Sequence, residues 1–364
     1  MEIQSIEQFN DDSTMVKYEL ASEIANDAME LLVEKIGHGQ SVKALADESD
    51  QWILNKINNS KYNGGLAFPT CLSLNQQAGY FRPKKDEDMF IKNGDLVKIE
   101  LGVHIDGFPA ILGFTKLVIE ENKTISQNDK RAKVLQACAD ASRGILEVLN
   151  YEKSNMDVVK ILEIMADKYN VNLLWGNMDL IHLPGTMSFQ MSKNVFDSKN
   201  DEEEEDDIHK MILNRHHNSY DFSMVETFFE GNEVYMIDVA FSSGEGQIKL
   251  SDKTTTLFKR TKNYKALRSA SSKKVINELT SKFPMNCSQY FENARDKIGM
   301  TECFKNKLIE GYPLMQEKHG EYIARTIFTV IIQRPSKNEE NEGHILLTGK
   351  SASSELEKID MKTH

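Results

Sequence analysis

The chain has 364 residues, 40% of them hydrophobic and 27% charged, and a formal net charge of −12. This length can bury a large core, and the overall acidity disfavours wholesale nucleic-acid binding, although a local basic patch can still bind it. No run of 18 apolar residues occurs, so we expect no membrane span. The acidic N-terminus lacks the apolar stretch of a secretory signal, and four cysteines without CxxC spacing indicate a reducing compartment.

Two helices and an irregular strand are predicted for the first part of the chain. Apolar side chains at 3.6-residue spacing predict helices over residues 14–36 and 41–58. Residues 64–83 predict a strand followed by irregular chain. Together these segments lead into the most informative stretch of the sequence.

Residues 98–115 predict a β-hairpin, because apolar residues alternate with polar ones on both sides of the turn signal Asp106-Gly107. With those two residues as the loop, Glu100 pairs with Gly113 and shares one face with Ile111, its diagonal neighbour about 7–8 Å away. A two-metal hydrolase needs carboxylates at both places of such a diagonal pair. This chain has a carboxylate only at the first.

The second half of the chain alternates helices with long strands. Helices are predicted over residues 127–150, 153–169, 264–283, 286–297 and 301–309, and strands over 171–175, 232–243, 321–333 and 343–349. Because strict βαβ alternation is missing, we predict an α+β fold with a mainly antiparallel sheet. Seven consecutive acids, from Asp201 to Asp207, predict a solvated loop, with an acidic arm for a basic partner as the alternative.

Residues 249–274, the basic segment, stand out against the acidic chain. Nine cations share this segment with the single acid Asp252: Lys249, Lys253, Lys259, Arg260, Lys262, Lys265, Arg268, Lys273 and Lys274. The segment carries +8, so the rest of the chain carries −20. Segregated cations with interleaved hydroxyls and aromatic rings favour binding to an RNA phosphate backbone. The alternative is a solvated helix face that pairs with the acidic loop.

Five segments in the same order along nearly the whole chain resemble the proliferation-associated, ErbB-receptor-binding protein family, which is itself similar to type 2 methionine aminopeptidases. They are GGLAFPTCLSLN (64–75), GDLVKIELGVHIDGF (94–108), NEVYMIDVAFSSGEG (232–246), TTTLFKR (254–260) and GEYIARTIFTVII (320–332). The resemblance implies the pita-bread fold, a pseudo-two-fold pair of antiparallel β-lobes with outer helices, as one domain over residues 1–364. It also implies a helical insert over about 249–312. The acidic loop over 195–228 is longer than the resemblance leads us to expect.

The active aminopeptidases hold two metals with five ligands, and the resemblance places these on positions of this chain. The ligand positions fall on Glu100, Ile111, Asn177 or Met178, Asp238 and Ile327, and a further catalytic histidine falls on Tyr80. Ile111 and Ile327 have no lone pair to donate, so a bridging dinuclear centre is not expected. We therefore expect no metal and no aminopeptidase activity.

Two of these positions also have a structural interpretation. Glu100 and Asp238 can pair with Arg325, which shares the face of Ile327 on its strand, as a buried salt bridge. His104 on the hairpin is interpreted as a partly buried, hydrogen-bonded histidine rather than a ligand.

The family resemblance implies a function at the ribosome. We expect a non-enzymatic factor that binds the large ribosomal subunit near the peptide exit tunnel, through ribosomal RNA and the surrounding ribosomal proteins, in ribosome maturation, dormancy or translation regulation. The alternatives are a divergent aminopeptidase with one metal at Glu100 and Asp238, and a peptide-binding module that uses the old cleft. We expect a cytoplasmic monomer without a membrane partner. A nuclear pool is the alternative for localisation, but it loses support because the chain ends ELEKIDMKTH without the lysine-rich tail of the family's animal members.

Overall fold

The structure, a computed structural model, describes residues 12–176, 187–195, 210–213, 225–334, 343–349 and 359–360. The helices are α1 (Asp12–Lys35), α2 (Val42–Asn58), α3 (Lys130–Val148), α4 (Asn155–Tyr169), α5 (Ala270–Glu278) and α6 (Ala294–Lys305). Within the described ranges, no helix has the length and apolar character needed to cross a membrane. The acidic run Asp201 to Asp207 lies outside the described residues.

Most of the strands belong to one large antiparallel sheet. The first eight are β1 (Gly64–Leu74), β2 (Leu96–Ile105), β3 (Phe108–Leu117), β4 (Ile125–Ser126), β5 (Asn172–Leu173), β6 (Met187–Met191), β7 (Met211–Leu213) and β8 (Val234–Ser242). The others are β9 (Lys249–Leu250), β10 (Leu257–Arg260), β11 (Met285–Asn286), β12 (Ile309–Gly311), β13 (Met315–Gln316), β14 (Ile323–Ile332), β15 (His344–Leu346) and β16 (Ile359–Asp360). The nine-stranded sheet has the order β1-β2-β3-β14-β8-β6-β7, with β15 beside β14 and β5 beside β8. Its antiparallel pairing confirms the predicted α+β class.

Each half of the sheet packs against its own pair of helices. Helices α1 and α2 cover β1–β3 around a core that includes Ile53 and Leu101. Helix α3 covers β8 and β14, and α4 packs on α3, β5 and β7, around a core that includes Ile145 and Phe241. Helix α2 begins at an N-cap residue: the Ser41 side chain accepts a hydrogen bond from the backbone N–H of Ala44. The sheet is therefore built from two lobes that meet in the middle.

The predicted hairpin forms with the predicted register. Strands β2 and β3 pair Ile105 with Phe108, Gly102 with Ile111 and Glu100 with Gly113. Asp106 and Gly107 both have positive φ, 51° and 91°, as a type I′ turn requires. The diagonal relation of Glu100 to Ile111 is thus confirmed.

The lobes join where β3 meets β14, and threonine side chains fix that joint. Thr115 Oγ1 accepts from the backbone N–H of Arg325 at 2.8 Å and donates to its carbonyl at 2.7 Å. Thr329 Oγ1 likewise accepts from the Ile111 N–H and donates to the Ile111 carbonyl, both at 2.9 Å. These buried bonds satisfy backbone groups on both sides of the joint, where the strands separate.

Residues 249–312, the insert, have a small core of their own. Helices α5 and α6 pack on the three-stranded sheet β11-β10-β12, so the insert is mixed in secondary structure rather than helical. The predicted helix over 264–283 is too long, and the predicted helix over 286–297 is wrong except at its end, because α6 spans Ala294–Lys305. Helix α5 ends where Leu279 adopts an extended conformation (ψ 135°) ahead of Pro284, and Ser288–Phe291 forms only a 3₁₀ turn. The predicted helix over 301–309 is wrong in its second half, because Ile309–Gly311 pairs with β10.

Candidate functional site

Four strands bring three of the predicted ligand positions, Glu100, Ile327 and Asp238, into one row across the sheet. Glu100 pairs with Gly113, Gly113 with Ile327, and Ile327 with Asp238. Directly paired residues point to the same face of a sheet, so Glu100, Ile327 and Asp238 share one face. Gly113 leaves the space between them, because a Cβ there would lie 2.8 Å from Ile327 Cγ1.

Arg325 occupies the centre of this face. It lies two residues before Ile327 and therefore points to the same side of β14. Its guanidinium donates to both Asp238 oxygens, from Nε to Oδ1 at 2.8 Å and from Nη2 to Oδ2 at 2.7 Å, and Nη1 donates to Glu100 Oε1. The side chains of Arg325, Glu100 and Asp238 are only 3%, 2% and 0% exposed. The structural interpretation of these two carboxylates, a buried salt bridge with Arg325, is confirmed.

Tyr80 closes the site over the guanidinium. Its backbone N–H donates to Glu100 Oε2 at 2.6 Å, its hydroxyl accepts from Arg325 Nη2 at 3.2 Å, and its ring centroid lies 5.1 Å from the guanidinium carbon. The ring also packs against Phe68 and Tyr312 at centroid distances of 5.4 and 5.8 Å. The φ of +64° at Tyr80 is uncommon for a bulky residue, and its hydrogen bond to Glu100 helps to hold this conformation.

Burial and pairing act in opposite directions on the charges of the site. Burial raises the pKa of Glu100 and of Asp238, and the Arg325 guanidinium opposes this effect at both carboxyls. Burial disfavours the charged form of Arg325, but the carboxylates of Asp238 and Glu100 outweigh it and hold the pKa of Arg325 well above its ordinary value. The two acids and the arginine therefore stabilise one another as ions in a place without water contact.

Lys98 lies two residues before Glu100 on β2 and is fully buried. Its ammonium donates to the carbonyls of Asn75 at 2.8 Å and Ile323 at 3.0 Å, which ties the first lobe to β14. Burial lowers the pKa of Lys98 to about 7. A role for Lys98 was not predicted from the sequence, although a lysine on the buried face of a predicted strand is an unusual pattern.

The donor set does not fit a two-metal centre. Ile111 and Ile327 are buried apolar side chains at ligand positions, and the guanidinium of Arg325 bridges the two carboxylates that remain. Among the described residues, no group of three or more His, Cys, Asp or Glu side chains is arranged to hold a metal. Asn177 and Met178, the predicted positions of the histidine ligand, lie outside the described residues. No step of metal-dependent hydrolysis can be derived from this arrangement.

His104 differs from its prediction in one respect. It is partly buried as expected, but its buried Nδ1 has no hydrogen-bond partner within the described ranges. Its ring instead stacks on Phe283 of the insert, with centroids 4.6 Å apart. Burial, with a smaller contribution from Lys282, lowers the pKa of His104 to about 4, so the ring is neutral at physiological pH. His104 therefore joins the hairpin to the insert through an apolar contact.

Most members of the basic segment lie on the surface of the insert. Six of its cations are exposed and two are partly exposed: Lys249, Lys262, Lys265, Arg268, Lys273 and Lys274, and then Lys253 and Arg260. Lys259 departs from the pattern, because it is 9% exposed on β10 and lies among the residues of the insert sheet. Lys274 is within 3.5 Å of Asp296 and 5.4 Å of the Tyr290 ring centroid, so part of its charge is used within the insert.

Three further residues belong to these sites and were missed in the sequence. Gly79 leaves room for the ion pair, since a Cβ there would clash with Arg325 Nη1 and would lie 2.8 Å from Glu100 Oε1. Lys305 and Lys307 are exposed. They lie beside the basic segment in the fold, because the Lys307 carbonyl accepts hydrogen bonds from the side chains of Thr261 and Asn263. Gly79 could have been identified from the sequence, because it directly precedes Tyr80, a predicted site position. Lys305 and Lys307 could not, because they are distant in sequence from residues 249–274.

Comparisons with known proteins agree with this geometry. Metallopeptidase family M24 matches residues 17–188. ErbB-3 binding protein 1 of Solanum tuberosum is 30% identical over 357 residues, which cover 91% of this chain and 86% of that protein. A solved structure of a thermophilic Arx1 superposes with a TM-score of 0.78 at 21% identity, covering 97% of this chain and 95% of that one. Methionine aminopeptidase from Rickettsia prowazekii superposes with a TM-score of 0.58 at 14% identity, covering 93% and 98%.

The fold and the site thus define a protein with the pita-bread fold of the M24 metallopeptidases, in which Arg325 bridges the carboxylates of Glu100 and Asp238. Within that class, the chain belongs to the ErbB-3-binding protein family, as the sequence resemblance predicted.

Removing the arginine tests the role of the ion pair. We expect Arg325→Met to lower the free energy of unfolding by about 3–5 kcal/mol, because two buried carboxylates lose their counter-charge. Adding Glu100→Gln and Asp238→Asn to that variant removes the unpaired charges and is expected to restore much of the loss. Urea unfolding of the three proteins measures both effects. A loss below about 1 kcal/mol for Arg325→Met would contradict a buried, desolvated pair.

Lys98 gives the stability a specific pH dependence. The ordinary lysine pKa of 10.5 falls to about 7 in the folded chain, so above pH 7 the unfolded chain binds more protons than the folded one. Raising the pH from 7 to 9 should therefore stabilise the wild type relative to Lys98→Met, by at most about 1.4 kcal/mol per pH unit. Urea unfolding of both proteins across this range measures the difference. A constant difference would mean that Lys98 titrates outside the range.

Proposed function

We propose that this protein is a non-enzymatic factor that binds the large ribosomal subunit near the peptide exit tunnel, with the insert against ribosomal RNA. The observation that carries the proposal is the exposed cationic surface of the insert. Lys262, Lys265 and Arg268 project from it around Tyr264, in a chain whose remaining parts are strongly acidic. The cations of this surface attract an RNA phosphate backbone, whereas the net negative charge of the rest of the chain repels it.

The charge distribution also favours one orientation on the ribosome. The insert as a whole, residues 249–312, carries +8, and everything outside it carries −20. An RNA surface attracts the insert and repels the acidic body, so the two lobes of the sheet point away from the phosphates. Such an orientation suits a protein that covers the tunnel mouth, touches the ribosomal proteins there and acts in ribosome maturation, dormancy or translation regulation. We place it in the cytoplasm.

The filled cleft supports a binding role over an enzymatic one. A guanidinium lies where metals would be needed, and Tyr80 packs over it with Phe68 and Tyr312 behind the Tyr80 ring. A single ion between Glu100 and Asp238 would have to displace Arg325 and leave its charge buried and unpaired. The old cleft is therefore used for stability, and the function moves to the insert.

Charge reversal tests the RNA contact. We expect the triple change of Lys262, Lys265 and Arg268 to Glu to abolish co-sedimentation with large subunits, since three phosphate contacts become repulsive. In wild-type binding, each phosphate contact contributes about 1 to the slope of log K against log salt. Lys259 is not changed, because it is buried and its replacement by Glu is expected to destabilise the fold. Sucrose-gradient sedimentation at several salt concentrations measures the effect.

A matched control changes the same amount of charge on the opposite lobe. Lys123, Lys153 and Lys160 are exposed and lie near α3 and α4, so their reversal to Glu should leave sedimentation close to wild type. Equal loss in both triple variants would show that net charge alone, and not the insert surface, controls binding. Unchanged binding of the insert variant would remove the insert from the interface.

Metal content separates the proposal from the aminopeptidase alternative. We expect purified protein incubated with Mn²⁺, Co²⁺ or Zn²⁺ and then desalted to retain less than about half an equivalent, because the two remaining carboxylates already bind Arg325. No release of N-terminal methionine from peptides is expected in an assay where an active methionine aminopeptidase serves as the control. Stoichiometric metal together with peptide cleavage would establish the enzymatic alternative.

A further inference from the structure

The irregular chain between β10 and α5, residues 262–268, is anchored as a defined loop. At its start, the backbone N–H of Thr261 donates to the Leu308 carbonyl at 3.0 Å. The Lys307 carbonyl accepts two side-chain bonds, from Thr261 Oγ1 at 2.7 Å and from Asn263 Nδ2 at 3.0 Å. These bonds fix the loop against the turn between α6 and β12.

That turn contributes two exposed cations to the same place. Lys305 ends α6, and Lys307 follows with a left-handed backbone (φ 55°). Lys265 Nζ donates to Asn306 Oδ1 at 2.7 Å, which joins the loop to the turn a second time. Two segments about forty residues apart in sequence therefore present their lysines on one surface.

Tyr264 projects from the anchored loop and is 89% exposed. Other aromatic residues of the insert pack within it: Tyr290 and Phe258 are buried in its core, and Phe304, although 56% exposed, packs edge-on against Phe258. A ring held out on a hydrogen-bonded loop adds nothing to the packing of the insert, yet its flat face is open to a partner. Exposed aromatic rings beside cations are the means by which proteins bind unpaired nucleotides, through base stacking and phosphate contacts.

We propose that Tyr264, Lys305 and Lys307 form a site for an unpaired nucleotide of RNA, in which the base stacks on the Tyr264 ring and the flanking phosphates contact the two lysines. This inference rests on the proposed function, since it names the kind of RNA that the insert recognises. A duplex keeps its bases stacked on each other and offers the ring no base face, so a duplex can use only the cations. The insert thereby prefers a loop, a bulge or a strand end.

The test compares one short RNA as a single strand and as a duplex with its complement, with 2-aminopurine in the strand. Fluorescence anisotropy gives the affinity, and 2-aminopurine quenching reports stacking. We expect Tyr264→Ala to weaken single-strand binding by about ten-fold and abolish quenching, while duplex binding stays unchanged. Tyr264→Phe keeps the ring and should behave like the wild type. Tyr151→Ala, at an exposed tyrosine on the other lobe, is the matched control.

The lysines are tested by Lys307→Asn, which removes the charge with a residue that tolerates the left-handed backbone. It should weaken binding of the single strand and the duplex alike, and lower the slope of log K against log salt by about 1.

Several results would overturn the site. One is equal loss of single strand and duplex in Tyr264→Ala, and another is a Tyr264→Phe variant as weak as Tyr264→Ala, which would assign the effect to the hydroxyl. Loss of large-subunit sedimentation without loss of RNA affinity would make Tyr264 a contact to protein. If the wild type binds RNA and Tyr264→Ala binds it with the same affinity, this inference is wrong and the proposed function is unaffected. No binding of wild type to either RNA defeats the proposed function with it.

Discussion

Arg325 lies between two carboxylates that come from different lobes of the sheet, Glu100 on β2 and Asp238 on β8. Because all three charges are buried, each depends on the others to remain ionised. Arg325 therefore acts as a metal ion would between two anionic ligands. It offsets the charge of Glu100 and Asp238 and holds the two lobes together through them. Gly79 leaves the space for the ion pair, Gly113 leaves the space for the neighbouring Ile327, and Tyr80 covers the pair with a backbone of positive φ.

In the proposed function, the cleft contributes stability and the surface of the insert contributes binding. The body of the chain is acidic, and the insert separates from it both in charge and in its own small core. His104 and Phe283 stack where the hairpin meets the insert, and Glu87 accepts two hydrogen bonds from Thr254, so the insert is held on the body rather than tethered to it. A rigidly held cationic surface is well suited to reading the shape of a large RNA.

The sequence predicted the parts of the structure that depend on local chemistry. The Asp106-Gly107 turn and the alternation around it set the hairpin register, and that register placed Glu100 opposite Gly113. Arg325 could be paired with Glu100 and Asp238 because it shares the face of Ile327. The predictions that failed depend on contacts between residues distant in sequence. Lys259 was predicted to contact RNA, but pairing of β10 with β12 buries it. The predicted bounds of the insert helices were wrong because packing and strand pairing within the insert determine where the helices end. The nearness of Lys307 to Tyr264 likewise comes only from the fold.

A reconstruction of this protein bound to large ribosomal subunits, by electron cryomicroscopy at side-chain resolution, tests the central claim most directly. The account predicts residues 262–268 and 305–307 against ribosomal RNA, with continuous density from the Arg325 guanidinium to the carboxylates of Glu100 and Asp238. Metal density between those carboxylates, or an insert that faces solvent while another surface contacts the subunit, would contradict it.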